Sequence, residues 1–216
     1  MRLSHKIPET PWRAKSPWSF RPRMVLPLLI GLSIFGLGEG LLVQSAWGAT
    51  PWTVFAEGVS RHTDLSIGWA TALISCVVLL AWLPLRERPG FGTLANLVII
   101  AFVLDLTTVA VSVPHTAIVK FLYIVAAIVA IGVGSALYLT TGLGPGPRDG
   151  LMTGLHRHLH VSVVYVRLAL ELAVLLCGWL LGGTVGIGTA AFATTIGFSI
   201  GASLQVTDRL VKRFAR

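Results

Sequence analysis

Charge is scarce in this sequence. Only 12% of its 216 residues are Asp, Glu, Lys or Arg, about half of the share that is usual in a soluble domain. The few charges are clustered, so long apolar runs lie between them. This pattern excludes an ordinary soluble domain. It predicts an integral membrane protein whose apolar surface faces the lipid bilayer.

Cysteine and the usual chemical motifs are also scarce. Cys76 and Cys177 are the only cysteines, and both lie in apolar runs, which excludes a disulfide framework and predicts two small buried side chains. There is no zinc-ligand spacing, nucleic-acid-binding signature, H-E-x-x-H, G-x-S-x-G or P-loop ending. We therefore expect a protein that is not an enzyme, has no cofactor or metal, and binds no nucleic acid.

The apolar runs predict six membrane spans. The first has about twenty apolar residues, which is too long for the core of a signal peptide, so it is interpreted as an uncleaved span. The predicted spans are 24–45, 65–84, 93–113, 117–140, 161–182 and 188–207.

The basic residues predict the orientation. Residues 1–23 and 208–216 are basic and are expected to be cytoplasmic tails, the first of them flexible because it is rich in proline. The basic cluster 86–88 then also lies inside, and the outer connections carry little positive charge. The chain is thus predicted to be a multi-pass protein of the bacterial cytoplasmic membrane. Its net charge of +8 indicates contact with anionic lipid.

The sequence repeats itself at an offset of 96 residues. Between residues 36–93 and 132–189 there are 16 identities in 58 positions without a gap. Many matches are Gly or Pro, whose backbone properties are special, so shared apolar composition does not account for them. Two repeats are predicted, 24–113 and 117–207. Each has three spans, an odd number, so the second must be inverted relative to the first.

The predicted fold is therefore an all-α membrane protein of two inverted three-helix repeats. In each repeat a Gly/Pro turn and a short helix join the first two spans, at 46–64 and 141–160. Pro51 and Pro147 suit the first turn of these helices. Such helix starts present free N–H groups and could hold an anionic solute if they dip into the membrane. Alternatively, both short helices lie on the membrane surface.

Four ionisable residues fall inside predicted spans, where they are costly and usually functional. Arg167 and Glu171 are four residues apart and can pair on one helix face. Arg167 is expected to bind a carboxylate or phosphate, with Glu171, Asp105 or Glu39 carrying protons or countercharge. The alternative for the pair is a structural salt bridge. For Glu39 we favour the simpler interpretation that it reaches water near the outer end of its span.

Two further patterns have structural interpretations. His156 and His160 in "HRHLH" would share a helix face, but no third ligand is evident, so a basic helix on the lipid surface is favoured over a metal site. The glycine sets 36/38/40 and 132/134 are expected to permit close helix packing, with a permeation path as the alternative.

The segments "GLGEGLLV", "GATPWTVFAEG" and "GLGPGPRDGLMTGL" resemble the YczE-type bacterial membrane proteins, which are grouped with YitT- and YyaS-like proteins. The resemblance covers about 25–207 and implies a bacterial integral membrane protein. In the first half Thr53 stands where the family pattern has an acid. Thr53 therefore departs from the pattern that Asp149 follows in the second half.

These observations predict a small-solute transporter or channel for a carboxylate-bearing metabolite, with the site between the repeats. The alternative is a non-transporting membrane helper or scaffold that docks a cytoplasmic biosynthetic enzyme through residues 148–160 and the basic tails. A homodimer is compatible with the small size of the chain. The residues predicted to contact solute are Arg167, Glu171, Asp105, Pro51, Thr53, Pro147, Arg148 and Asp149.

Overall fold

The computed structural model describes residues 7–214, and within this range the chain is helical and has no strand. Three short helices lie among the longer ones. The helices are α1 (Pro22–Gln44), α2 (Pro51–Arg61), α3 (Ile67–Leu80), α4 (Trp82–Leu85), α5 (Phe91–Ala110), α6 (Ala117–Thr140), α7 (Pro147–Leu159), α8 (Val163–Leu180) and α9 (Ile187–Phe214).

Six helical segments are long and apolar enough to cross a membrane, as predicted. They are α1, α3 together with α4, α5, α6, α8, and α9 up to Arg213. Large apolar side chains are exposed along their outer faces, for example Val109 and Phe198. Such a surface suits hydrocarbon and not water. The last helix continues beyond the predicted end of its span.

The short helices α2 and α7 lie where the two Gly/Pro turns predicted them, and proline occupies the first turn of each. The Thr50 side chain caps α2 by accepting a hydrogen bond from the Thr53 N–H. The first turn of α2 is buried inside the bundle, and so are Pro147 and Gly150 of α7. Neither helix therefore begins on an exposed surface of the protein.

The 96-residue offset of the sequence recurs in the helix boundaries. Proline begins α2 and α7 at 51 and 147, and the pairs α3/α8 and α5/α9 also begin 96 residues apart. Contacts between the halves recur at the same offset. The Gly92 N–H donates to Leu143 O over 2.8 Å, and the Gly188 N–H donates to Trp47 O over 2.7 Å. Each half thus holds a loop of the other half in the same way.

Helices α1 and α6 form the centre of the bundle, and glycine lets them approach closely. A Cβ added to Gly38 would lie 2.9 Å from Ala127 O, and one added to Gly134 would lie 2.5 Å from Gly31 O. Positions 38 and 134 are 96 apart, as are 31 and 127. The expected packing role of these glycines is confirmed.

Replacing Gly134 by alanine is expected to lower the free energy of unfolding by about 1–3 kcal/mol, because the added methyl group overpacks the contact of α1 with α6. The measurement is unfolding of the detergent-solubilised protein. Gly197→Ala is the matched control, since a Cβ there meets nothing within 4 Å. Equal losses of stability in the two variants would contradict this account of Gly134.

Loops predicted on the same side of the membrane lie together. At one end, which we call the tail end, the Ala14 N–H donates to Thr141 O over 2.7 Å, and Arg157 pairs with Glu87. At the other end, which we call the opposite end, the Thr184 N–H donates to Glu57 over 2.8 Å. The first group joins connections predicted inside, and the second joins connections predicted outside.

The N-terminal segment is packed, so its predicted flexibility is wrong for the part that the structure describes. The Thr10 hydroxyl donates to Thr140 O over 3.0 Å, and the Trp12 indole N–H donates to Thr140 Oγ1 over 3.2 Å. Further along, the Phe91 N–H donates to Pro17 O over 2.9 Å. These partners lie far away in the sequence. Local proline content could therefore not indicate that the segment is packed.

The cysteines also differ from expectation. Cys76 and Cys177 are exposed on the outer faces of α3 and α8, so the prediction of buried side chains is wrong. Both are free thiols. In a membrane protein an apolar run has an outer face in lipid as well as an inner face, and hydropathy does not distinguish the two.

Candidate functional site

A cavity of 280 Å³ lies in the interior of the bundle, between the two halves of the chain. Its wall draws on both repeats at corresponding places. Eight pairs of lining residues are separated by the 96-residue offset: Phe35/Ile131, Glu39/Ser135, Thr50/Gly146, Trp52/Arg148, Thr71/Arg167, Ser75/Glu171, Asn96/Phe192 and Ile100/Ile196. The backbone positions of the two repeats therefore correspond in the cavity wall. The charges do not correspond, because the residue 96 positions away from each charged residue is neutral.

Glu39 is the most deeply buried charged residue of the cavity wall, at 1% exposure. Its carboxylate accepts hydrogen bonds from the hydroxyls of Thr50, over 3.1 Å, and Thr53. Arg148 places a guanidinium nitrogen 3.7 Å from the same carboxylate. The interpretation that Glu39 reaches water is therefore wrong. Its span runs into the folded-back loop that begins α2, and this loop covers the end where water was expected.

Arg148 lies in the first turn of α7 and connects the two repeats. Besides its approach to Glu39, its guanidinium stands 5.1 Å from the centre of the Trp52 ring, a cation–π arrangement. Burial lowers the pKa of the Arg148 guanidinium, and the nearby carboxylates of Glu39 and Asp149 oppose this shift. Arginine side chains are not deprotonated in proteins, so the Arg148 guanidinium supplies a positive charge to the cavity.

Asp149 follows Arg148 and also lines the cavity. The Tyr138 hydroxyl donates a hydrogen bond to one of its carboxylate oxygens, Oδ2. Among residues 7–214 no cationic side chain pairs directly with Asp149, and no donor reaches its other oxygen. The sequence did not predict the role of Tyr138, which looks like one more aromatic residue of an apolar span.

Arg167 and Glu171 line the cavity from α8 and form the predicted pair, with 2.8 Å between Arg167 Nε and Glu171 Oε1. Their side chains are 42% and 26% exposed, so the pair is only partly enclosed by the protein. In the part of the chain that the structure describes, the terminal nitrogens of the Arg167 guanidinium donate to no protein acceptor. They are available to a solute.

The structure brings five of the eight predicted solute-contact residues into the cavity wall: Pro51, Arg148, Asp149, Arg167 and Glu171. Three lie elsewhere. Thr53 is fully buried behind the wall against Glu39, and Pro147 uses its carbonyl to accept a hydrogen bond from the Trp82 indole over 3.0 Å. Asp105 is a residue of α5 that lies outside the cavity, next to the start of α3.

Asp105 joins α5 to the start of α3. Its carboxylate accepts from the Gly68 N–H over 2.7 Å and from the Ser66 hydroxyl. We call this set of contacts the Asp105 latch. It lies at the opposite end of the bundle, where α3 begins and α5 ends. A span position alone could not indicate this role, because the partners of Asp105 are the Ser66 hydroxyl and a free N–H in the first turn of another helix.

The corresponding helices of the second half, α8 and α9, stand apart. Gly201 occupies the place of Asp105, so the equivalent latch has no carboxylate. Val164, which corresponds to Gly68, is 71% exposed. Gly197 corresponds to Ala101, the residue that touches Gly68, and has an empty neighbourhood. Within residues 7–214 no hydrogen bond joins α8 to α9.

The histidine cluster does not share a helix face as the four-residue spacing predicted. His160 ends α7 in the left-handed conformation, at φ 57°, so it turns away from the helix. His156 Nδ1 contacts the carbonyl of Val161 at 2.6 Å. Among the described residues no group of three His, Cys, Asp or Glu side chains could hold a metal ion.

Six apolar helices around a small charged cavity define a multi-pass membrane protein. A family model described as a family of unknown function (DUF6198) matches residues 22–205, which is most of the chain. The protein belongs to this family.

Curated relatives support the same assignment. An "Uncharacterized protein" of Haemophilus influenzae is 46% identical over 204 residues, 94% of each chain. The "Uncharacterized membrane protein YczE" of Bacillus subtilis is 31% identical over 85% of this chain and 88% of its own. The B. subtilis protein YyaS is 26% identical over 83% and 92%. The resemblance to YczE- and YyaS-type proteins is thus confirmed. No solved structure matches the chain.

Proposed function

We propose that the protein is a transporter for a small carboxylate-bearing solute in the bacterial cytoplasmic membrane, with both termini in the cytoplasm. The observation that supports this most directly is the cavity, whose wall is made by equivalent positions of the two halves. Transporters of inverted-repeat design bind their solute at such a place, near the midplane and between the repeats.

Reciprocal contacts support the inverted arrangement. Gly92 of the first half contacts Leu143 of the second, and Gly188 of the second half contacts Trp47 of the first. A rotation by half a turn that interchanges the two halves would convert one contact into the other. Each half contains three spans, so it ends on the side of the membrane opposite to the side where it began, and the following half starts from that other side. The rotation axis then lies in the membrane plane.

The difference between the two halves supports alternating access. Helices α3 and α5 are joined by the Asp105 latch at the opposite end, and α8 and α9 are separated at the tail end. In a molecule of two equivalent halves, a second conformation, the exchanged state, is obtained if α8 and α9 come together and α3 and α5 separate. The gap between α8 and α9 at the tail end would then close, an equivalent gap between α3 and α5 would open at the opposite end, and the solute would cross without a continuous pore.

The cavity offers suitable chemistry for the solute. Arg148 and Arg167 present guanidinium groups with unused donors, which bind carboxylates in paired hydrogen bonds. Their carboxylate partners Glu39 and Glu171 hold them in place when no solute is bound. A solute carboxylate would therefore compete with an internal carboxylate for each guanidinium group.

A thiol-labelling experiment tests this function even while the solute is unidentified. Ser75→Cys places a thiol in the cavity wall, in a background of Cys76→Ser and Cys177→Ser, whose side chains face outwards. A membrane-impermeant thiol reagent is expected to label it from either side of membrane vesicles, because the cavity opens alternately to each.

Val78→Cys is the matched control, since it is one turn along α3, buried and outside the cavity. It should remain unlabelled. Labelling of Ser75→Cys from one side only, or from neither, would contradict transport through this cavity.

The alternative is a membrane helper that docks a cytoplasmic enzyme. The end of α7 favours it, because His158, Leu159 and His160 are exposed together at the tail end. Under this function, substitutions at His158–His160 would abolish capture of the enzyme, and substitutions at Arg167 and Glu171 would not. One-sided labelling of Ser75→Cys would favour the helper.

A further inference from the structure

The charges of the cavity wall are unequal, and this inequality bears on the kind of solute. Five charged side chains line the cavity: Glu39, Arg148, Asp149, Arg167 and Glu171. Three are acidic and two are basic, so the wall carries a formal charge of −1. A solute bearing only carboxylate would add negative charge to a buried site that already has an excess of it, which is unfavourable.

Asp149 is the one acidic residue of the cavity wall that forms no salt bridge within the described residues, although the Arg148 charge also acts on it. Glu171 is neutralised by Arg167 at 2.8 Å, and Glu39 has Arg148 at 3.7 Å together with two threonine hydroxyls. Asp149 has only the neutral Tyr138 hydroxyl as a partner among the residues described. Its second oxygen accepts no hydrogen bond there, so a cationic donor of the solute has a place to bind.

Arg148, which is adjacent to Asp149, has N–H donors that are free to bind a solute. Within the described range, the Arg148 guanidinium donates no hydrogen bond to the protein, although Glu39 is near it and Trp52 lies beneath it. An arginine has five N–H donors. A solute ammonium alone would leave these donors without an acceptor. A carboxylate alone would leave the Asp149 oxygen without a donor.

Resting on the proposed function, we infer that the solute is a small zwitterion of the amino-acid type, whose carboxylate binds Arg148 and whose ammonium binds Asp149. Such a solute satisfies both groups and leaves the formal charge of the cavity unchanged. Both side chains project from the first turn of α7 into one cavity. The cavity volume of 280 Å³ is slightly below the range of about 300–1,000 Å³ that is typical of pockets for larger ligands, which suits a solute of this size.

The test compares each zwitterion with the acid and the amine that each carry only one of its two charged groups. Thermal unfolding of the detergent-purified protein is measured with alanine, propionate and ethylamine, with leucine, isocaproate and isopentylamine, and with γ-aminobutyrate, butyrate and butylamine. A zwitterion is expected to raise Tm, and the matching acid and amine are not. Asp149→Asn keeps an acceptor for Tyr138 and is expected to weaken binding of the zwitterion by about thirtyfold or more.

Asp208→Asn is the control, because Asp208 pairs with Lys212 near the end of α9, away from the cavity. It should bind as the wild type does. Acids that bind as tightly as the zwitterions, with Asp149→Asn unchanged, would overturn the inference and leave transport of a carboxylate intact. Failure of every probe would overturn it for amino-acid-sized solutes. The labelling of Ser75→Cys decides separately whether the cavity transports at all.

Discussion

Replacing Arg148 by glutamine is expected to lower the free energy of unfolding by about 3–5 kcal/mol, because Glu39 then remains as a buried charge without a cation nearby. Glu39 is 1% exposed, and its other partners are neutral threonine hydroxyls. Those hydroxyls solvate the carboxylate but do not neutralise it. The measurement is unfolding of the protein in mixed detergent, followed by the loss of helical circular dichroism.

The double variant Glu39→Gln/Arg148→Gln provides the decisive comparison. It removes both charges, so it should recover much of the stability that Arg148→Gln alone loses. A double variant that is as unstable as the sum of the two single variants would show that the two residues act independently. In that case the 3.7 Å approach of their charged groups would not be an energetic link between the repeats.

The second large effect concerns the gap between α8 and α9. Cysteines at positions 162 and 201 correspond to the latch positions 66 and 105 in the first half. A short thiol crosslinker is expected to join Ser162→Cys to Gly201→Cys slowly, because these helices stand apart. Adding Asp105→Asn should accelerate the reaction about tenfold or more, since losing charged hydrogen bonds of the latch favours the exchanged state.

Asp64→Asn serves as the control for the latch. Asp64 is an exposed acid in the connection that leads to α3. Its replacement should leave the crosslinking rate unchanged. If Asp105→Asn and Asp64→Asn crosslink at the same rate, the Asp105 latch does not govern the separation of α8 from α9, and the gap is a fixed feature of the bundle.

Local patterns predicted the elements of this fold well. Uninterrupted apolar runs predicted six long helices, and Gly/Pro turns predicted two short helices that begin at Pro51 and Pro147. The Arg167–Glu171 pair followed from a spacing of four residues. These features depend on neighbours in the sequence, or on a transfer free energy that sums along a single helix, so they do not depend on the packing of distant segments.

Packing between distant segments decided the rest. The fold-back of the chain before α2 buried Glu39, and α7 brought Arg148 to it from the other half. The start of α3 binds the Asp105 carboxylate outside the cavity, and the start of α5 and the end of α6 order the N-terminal segment. A buried polar group must find a partner somewhere, but which partner it finds depends on the whole bundle.

The 96-residue repeat is visible both in the sequence and in the tertiary structure. From the sequence it assigned each residue a counterpart, and this correspondence holds in the helix boundaries and in the cavity wall. Only the tertiary structure revealed that the two halves differ, with one helix pair latched and the other apart. Backbone geometry follows from the shared Gly and Pro positions. The difference arises from side chains such as Asp105 that have no equivalent, and their effect depends on which distant helix they meet.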